Sequence, residues 1–142
     1  DGPANRNRSP RLAPLRPLLD TAGVRFFGLQ LGDGRRDLDG AALPASFTDL
    51  GPDIGDFADT AAILATLDLL ITSDTGVAHL AGALGRPAWV LLPFVPAWRW
   101  GLSGTASAWY PSVRLYRQPA PGDWATPVAR VAADLARRAQ GR

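Results

Sequence analysis

The sequence contains no cysteine and only one histidine among its 142 residues. Without cysteine, neither a disulfide framework nor a thiolate metal site is possible, and a single histidine is too few for a histidine-based metal site. We therefore expect no metal and no other cofactor. The formal net charge is only +2, which is weak support for nucleic-acid binding, so we expect no nucleic-acid partner. The sequence also lacks an apolar run of the ~20 residues that cross a bilayer and a signal-peptide pattern, which predicts a cytoplasmic protein without a transmembrane segment.

The chain is short, and 46% of its residues are hydrophobic, which favours a single well-buried domain over residues 1–142. It begins without methionine on "DGPANRNRS", a stretch typical of the middle of a loop, so we expect a fragment of a longer protein. The arginines gather in "RNRSPR" near the start and "ARRAQGR" at the end. The first cluster is read either as an anion site or as a solvated surface.

Apolar stretches of strand type alternate with alanine-rich stretches of helical period, which predicts an α/β fold: a Rossmann-like parallel sheet with helices on both faces. The main predicted helices cover residues 10–21, 56–68, 75–85 and 124–139, and the predicted strands cover residues 24–30, 47–51, 67–73, 88–93 and 113–118. Two of these helices have apolar stripes that we expect to face the core. The stripes consist of Phe57, Ala61, Leu64 and Ala65 in one helix, and of Val77, Leu80, Ala81 and Leu84 in the other.

The most informative segment is the transition from the strand at 67–73 to the next helix, "ITSDTGVAHLAG". Ligands of open parallel sheets bind where the carboxyl ends of strands lead into helices. Ser73 or Asp74 is expected to cap the helix, while Gly76 leaves the first amides accessible and the helix dipole favours phosphate there. Thr75 adds a hydroxyl donor, and His79 follows it by four residues on the same helical face.

Simpler interpretations of the same residues exist. Ser-Asp-Thr before an apolar helix is a common capping sequence, and a lone helical histidine is often structural. Gly76 is costly inside a first turn, by up to ~1 kcal/mol relative to alanine. Close approach of a ligand is our preferred reason for it, and tight helix packing is the alternative. Asp-Thr-Gly is also the active-site triplet of aspartic proteases, but those enzymes are all-β, and a helical pattern follows the triplet here.

The segments "DFADTAAILATLDLLITSDTGVAHLAGALGRPAWVLLPFVPAWRW" and "WYPSVRLYRQPAPGDW" closely resemble the carboxyl-terminal part of bacterial tetratricopeptide-repeat proteins that carry a glycosyltransferase-like domain. That domain is similar to the heptosyltransferase family and, more distantly, to the O-GlcNAc transferase group. The resemblance covers about residues 1 to 136. It implies the second half of a GT-B enzyme, in which two Rossmann-like domains face a cleft and the second one holds a nucleotide-sugar donor.

The resemblance implies a substrate site in which Asp74, Thr75, Gly76 and His79 lie close to the diphosphate and sugar of the donor. The opening "GPANRNRS" is similar to an arginine-rich loop of the family, which makes Arg6 and Arg8 candidates for neutralising the diphosphate. Gln30 ends a strand that faces the same cleft and is a candidate nucleotide contact. Two departures stand out: Leu31 replaces a lysine that is frequent in the family, and the histidine of the opening loop is absent.

The resemblance also implies what this chain does not contain. The amino-terminal domain that supplies the acceptor site and catalytic base, and the first strand of this domain, are expected to lie upstream. This chain alone is therefore expected to bind the donor without catalysis, as part of a hexosyl- or heptosyltransferase whose catalytic residues are unknown. The alternative is a degenerate, non-catalytic transferase domain that mediates protein interactions beside tetratricopeptide repeats.

An aromatic loop follows the strand at 88–93. Trp98, Arg99 and Trp100, with Trp109 and Tyr110 further on, are suited to stack on a base or sugar and to donate to phosphate. They are equally suited to pack against a neighbouring domain, since an exposed aromatic cluster often marks an interface.

Overall fold

The structure is a computed structural model, and it describes residues 10, 12–29, 43–96, 100–101 and 103–141. Within these residues, helices and strands alternate in the order α1 (Leu12–Leu19), β1 (Phe26–Gly28), β2 (Phe47–Asp49), a 3-10 turn (Gly51–Asp53), α2 (Phe57–Thr66), β3 (Leu70–Ser73), α3 (Gly76–Ala83), β4 (Ala88–Leu92), β5 (Val113–Arg117) and α4 (Ala125–Gln140). In the same part of the chain, no helix is both long enough and apolar enough to cross a bilayer.

All strand pairs in the described chain are parallel, as the alternating pattern predicted. β1 pairs with β2 in a two-stranded sheet, and β3, β4 and β5 form a second sheet with β4 in the centre. Parallel strands need crossover connections, and a helix lies in the connection between β2 and β3 and in that between β3 and β4. The predicted α/β fold with a parallel sheet is confirmed.

The central strand β4 divides the core into two layers, because successive residues of a strand face opposite sides. Ala88, Val90 and Leu92 face a first cluster that contains residues of α2, α3 and β5. Trp89 and Leu91 face a second cluster, in which α1 and α4 cover the sheet. All five residues of β4 are buried, so helices occupy both faces of this sheet, as expected.

The two sheets share these core layers. Phe26 of β1 packs against the second cluster together with Ile71 of β3, while Leu29, just after β1, packs against the first cluster. Within the described residues, the strand predicted over residues 24–30 is shorter than predicted. The strand is three residues long, and the Phe27 side chain between the two contacting positions is 39% exposed.

The two predicted apolar stripes are confirmed in part, because Leu64 and Ala81 are buried and Val77 and Leu80 pack against the first cluster. In α2 the buried residues are Thr60 and Leu64, whereas Phe57 is 66% exposed. In α3 the buried residues are Ala78 and Ala81, and Leu84 is 48% exposed beyond the helix end. The small side chains of α3 let the helix lie close to β3 and β4. The size of the apolar side chains therefore did not predict the buried face of this helix correctly.

Candidate functional site

The turn between β3 and α3 lies at the carboxyl edge of the larger sheet, where parallel sheets bind ligands. Ser73 and Asp74 are buried, at 8% and 5% exposure. Thr75 and Gly76 are exposed at the start of the helix. The turn therefore offers a hydroxyl and the first amides of α3 on its surface, and holds a carboxyl group beneath them.

Thr75 occupies the N-cap position of α3, which corrects the expectation that Ser73 or Asp74 caps this helix. Its backbone is extended (φ −136, ψ 170), and its side chain makes no capping hydrogen bond. The Thr75 hydroxyl instead lies 3.2 Å from the Thr72 hydroxyl and 3.3 Å from the Ser73 carbonyl oxygen. The β-branched Thr75 suits this extended backbone.

The hydrogen bonding of the first amides of α3 follows from that geometry. The amides of Ala78 and His79 donate to the Thr75 carbonyl oxygen at 3.1 and 3.4 Å. The two preceding amides, of Gly76 and Val77, belong to the group that an α-helix cannot satisfy internally. Together with the positive end of the helix dipole, such amides favour an anion.

Gly76 has a packing neighbour as well as an open side. A Cβ at this position would lie 3.3 Å from Cζ of Phe57, the exposed first residue of α2. This contact supports tight packing as one reason for the glycine. Because the glycine itself is exposed, the ring does not close over the turn, and a ligand can approach it.

A hydrogen-bonded chain of side chains lies beneath the turn. Nε2 of His79 is 3.2 Å from Oδ1 of Asp74, and Nδ1 of His79 is 3.3 Å from the Tyr110 hydroxyl. The imidazole stacks on the Trp100 indole at a centroid distance of 5.1 Å and an interplanar angle of 25°, with the Tyr110 ring edge-on at 5.8 Å. Of the residues predicted for the site, the structure thus brings Asp74, Thr75, Gly76 and His79 together.

The aromatic residues divide between interior and surface. Trp100 is only 3% exposed and packs in the first core cluster beneath His79, so its indole face is covered by the protein itself. Trp109 is 61% exposed. The hypothesis that this loop stacks on a base therefore does not apply to Trp100.

Arg117 fastens the segment that carries Trp100. Its guanidinium donates to the carbonyl oxygens of Trp100, Gly101, Ser103 and Gly104 at distances between 2.6 and 3.2 Å. Burial lowers the pKa of Arg117, and the four carbonyl dipoles compensate its charge. This arginine links the end of β5 to the wall of the site.

Gln118 was missed by sequence reasoning. It follows β5 at the same carboxyl edge, is 4% exposed, and accepts a hydrogen bond from the Phe94 amide at 2.9 Å. It thereby ties β5 to the segment after β4. The available signal was a polar residue directly after an apolar strand, the same signal that singled out Gln30.

The remaining predicted site residues, Arg6, Arg8, Gln30, Trp98 and Arg99, lie outside the described residues. Within the described part of the chain, no group of three or more potential ligand side chains is placed to hold a metal ion. Among the described residues, Asp74 and His79 are ionisable side chains at the turn, and they contact each other.

Comparison with known proteins agrees with the α/β fold. Residues 24–91, which run from β1 to the fourth residue of β4 and include the whole β3–α3 turn, match the family model of glycosyltransferase family 9 (heptosyltransferase). Over this segment the chain is therefore similar to glycosyltransferases of the heptosyltransferase type. This bears out the part of the predicted resemblance that concerns heptosyltransferases.

The chain is also similar to Protein FlbA of Caulobacter vibrioides, with 33% identity over 144 residues. The matched region comprises 92% of this chain but only 23% of that protein. The chain thus spans about a quarter of the length of the curated relative that it matches. No solved structure matches the chain.

Proposed function

We propose that this chain is the donor-binding domain of a glycosyltransferase, and that it holds the diphosphate of a nucleotide-sugar at the β3–α3 turn. The observation that carries the proposal is the exposed start of α3. There Gly76 leaves the first amides open, and the Thr75 hydroxyl lies beside them. The match to a glycosyltransferase family across this turn supports the same role.

Several partners of the proposed site remain predictions. Arg6 and Arg8 would neutralise the diphosphate, Gln30 would contact the nucleotide, and Trp98 and Arg99 would contact base, sugar or phosphate. A second GT-B domain would supply the acceptor site and the catalytic base. The tetratricopeptide repeats and the cytoplasmic location also remain predictions. The comparisons lend no support to a non-catalytic interaction module.

The chemistry of such a site is electrostatic. In glycosyl transfer, negative charge grows on the diphosphate as the bond to the sugar breaks. Amides and a dipole fixed before the reaction stabilise that charge without having to reorient. Asp74 lies beneath the turn with its carboxyl hydrogen-bonded to His79. We infer that it orients the turn or a sugar hydroxyl, because a carboxylate would repel a phosphate.

The test is isothermal titration of the wild-type protein with UDP, ADP and GDP. We expect one of them to bind in the micromolar-to-millimolar range. Thr75→Val keeps the β-branched shape but removes the hydroxyl. We expect it to weaken binding about tenfold or more, because a hydrogen bond to a charged group contributes roughly 1.5–3 kcal/mol.

Thr66→Val is the matched control. Thr66 is exposed in the last turn of α2, at the opposite edge of the sheet, where β3 begins. This variant should bind the same nucleotide as tightly as the wild type does. The absence of binding of all three nucleotides to folded wild-type protein would refute the proposed function.

A further inference from the structure

We propose that Tyr110 is a positioning residue of the β3–α3 turn: its hydroxyl holds the His79 imidazole, and the imidazole holds the Asp74 carboxylate in place. The role toward a donor rests on the proposed function, whereas the side-chain contacts themselves are independent of it. Tyr110 lies 31 positions after His79, in the segment before β5.

The proton positions in this chain follow from the chemistry of its groups. An ionised carboxylate only accepts hydrogen bonds, and a neutral imidazole has one donor and one acceptor nitrogen. Because Nε2 faces Asp74, that nitrogen carries the hydrogen. Nδ1 is then the acceptor, and the Tyr110 hydroxyl donates to it. The tyrosine therefore favours the tautomer that donates to the carboxylate.

The Tyr110 ring packs against the backbone of α3 at Gly82, where any larger residue would clash with it. A Cβ on Gly82, in the last turn of α3, would lie 2.4 Å from Cγ of Tyr110 and 2.7 Å from both Cδ atoms. Glycine has a lower helix propensity than alanine. The close contact of the ring with the helix backbone gives this glycine a structural reason and fixes the ring beside His79.

The backbone around Tyr110 is fixed as well. The Ser107 hydroxyl oxygen accepts from the amides of Trp109 and Tyr110 at 3.2 and 3.1 Å. The Tyr110 carbonyl oxygen accepts from the amide of Val113, the first residue of β5, at 3.1 Å. Hydrogen bonds thus fix the backbone of Tyr110 at both its amide and its carbonyl group. A residue that positions another side chain needs such a fixed backbone.

The His79 imidazole is engaged at both nitrogens and on one face. Nε2 is engaged with Asp74 and Nδ1 with Tyr110, and one face of the ring lies on Trp100. With both nitrogens engaged, the imidazole is placed to orient Asp74 rather than to accept a proton from a substrate. The role of His79 is then that of a link between Tyr110 and the turn.

The experiment uses the fact that the chain has one histidine. Protein labelled with 15N in histidine gives the nitrogen resonances of a single imidazole in a two-bond correlation spectrum. At a pH where the spectrum shows a neutral imidazole, we expect the tautomer with hydrogen on Nε2. In Tyr110→Phe the Nδ1 resonance should shift, because its donor is gone.

The matched control is Tyr116→Phe, since the chain has only two tyrosines. Tyr116 donates to Asp134 in the second core cluster, so its loss should leave the imidazole resonances unchanged. The second readout is the Kd of whichever of UDP, ADP and GDP binds. It should rise about fivefold in Tyr110→Phe, since a typical hydrogen bond contributes about 1 kcal/mol, and not in Tyr116→Phe.

The two proposals fail separately. Hydrogen on Nδ1 in the wild type, or an Nδ1 resonance that is the same in Tyr110→Phe, would overturn the proposed contact. A shifted resonance with an unchanged nucleotide Kd would overturn the positioning role while leaving the contact intact. If no nucleotide binds the wild type, the proposed function fails, and the imidazole spectrum alone decides whether Tyr110 holds His79.

Discussion

Replacing Gly82 with alanine tests the contact between α3 and Tyr110 by stability alone. On helix propensity the change would stabilise the protein by up to about 1 kcal/mol, because alanine has a higher helix propensity than glycine. The structure reverses that expectation. The new Cβ would lie 2.4 Å from Cγ of Tyr110, so the ring must leave its place.

The magnitude can be worked from the contacts that are lost. Displacing a packed group typically costs about 1–3 kcal/mol, and the hydrogen bond between Tyr110 and His79 contributes about 1 kcal/mol more. After subtracting the gain in helix propensity, we expect Gly82→Ala to lower the free energy of unfolding by roughly 1–3 kcal/mol. Tyr110 is followed at once by Pro111, which restricts how its backbone can adjust.

The assay is urea denaturation, with the free energy of unfolding extrapolated linearly to water. Gly76→Ala is the control, because it makes the same substitution in the same helix. Its Cβ would lie 3.3 Å from the end of the exposed Phe57 side chain, which can turn into solvent. We expect this control to stay within about 1 kcal/mol of wild type. A Gly82→Ala variant as stable as the wild type would refute the packing of the Tyr110 ring against Gly82 of α3.

Two further predictions concern other parts of the molecule. Arg117→Lys should lower the free energy of unfolding by about 1–2 kcal/mol in urea denaturation, because one ammonium cannot replace a guanidinium that reaches four carbonyl oxygens. Arg130→Lys, on the exposed face of α4, is its control. If both variants lost the same free energy of unfolding, the proposed attachment of the Trp100 segment by Arg117 would be wrong. Asp123 accepts hydrogen bonds from the Thr126 hydroxyl and amide at the start of α4, and these bonds lower its pKa. A depressed folded-state pKa gives stability that is complete above the ordinary aspartate pKa and is lost as the pH falls through the folded value. The urea midpoint of Asp123→Ala should therefore lie below that of wild type at about pH 7 and approach it at about pH 3; a difference that does not change with pH would contradict this.

The sequence predicted the fold well where hydrophobicity and turn chemistry coincide. "AWVLL" between Pro87 and Pro93 is a fully buried parallel strand, because such strands are covered on both faces and need no polar alternation. The helix after β3 ends near Gly85, which has a positive φ of 69°. This φ is the conformation for which glycine is favoured after a helix.

The sequence could not predict which side chains contact each other when they lie far apart in the chain. His79 was placed near the mouth of the site by its spacing from Thr75, but its contacts with Trp100 and Tyr110 depend on where the segment before β5 returns to α3. No periodicity encodes that return. The same reason explains why Phe57 was assigned to a buried stripe. Periodicity cannot tell which turn of a helix extends beyond the sheet, and Phe57 is the first residue of α2.

The attachment by Arg117 has a consequence for comparing this domain with its relatives. The segment from Trp100 to Tyr110 is tied at one end by a guanidinium and at the other by the Ser107 hydroxyl and the first amide of β5. In the middle of this segment, the Leu115 amide donates to the Thr105 carbonyl oxygen at 2.8 Å, a backbone contact that does not depend on which side chain Thr105 carries. When distant sequences are aligned, an arginine at the end of this strand and a serine three residues before the tyrosine are thus better landmarks than the intervening residues.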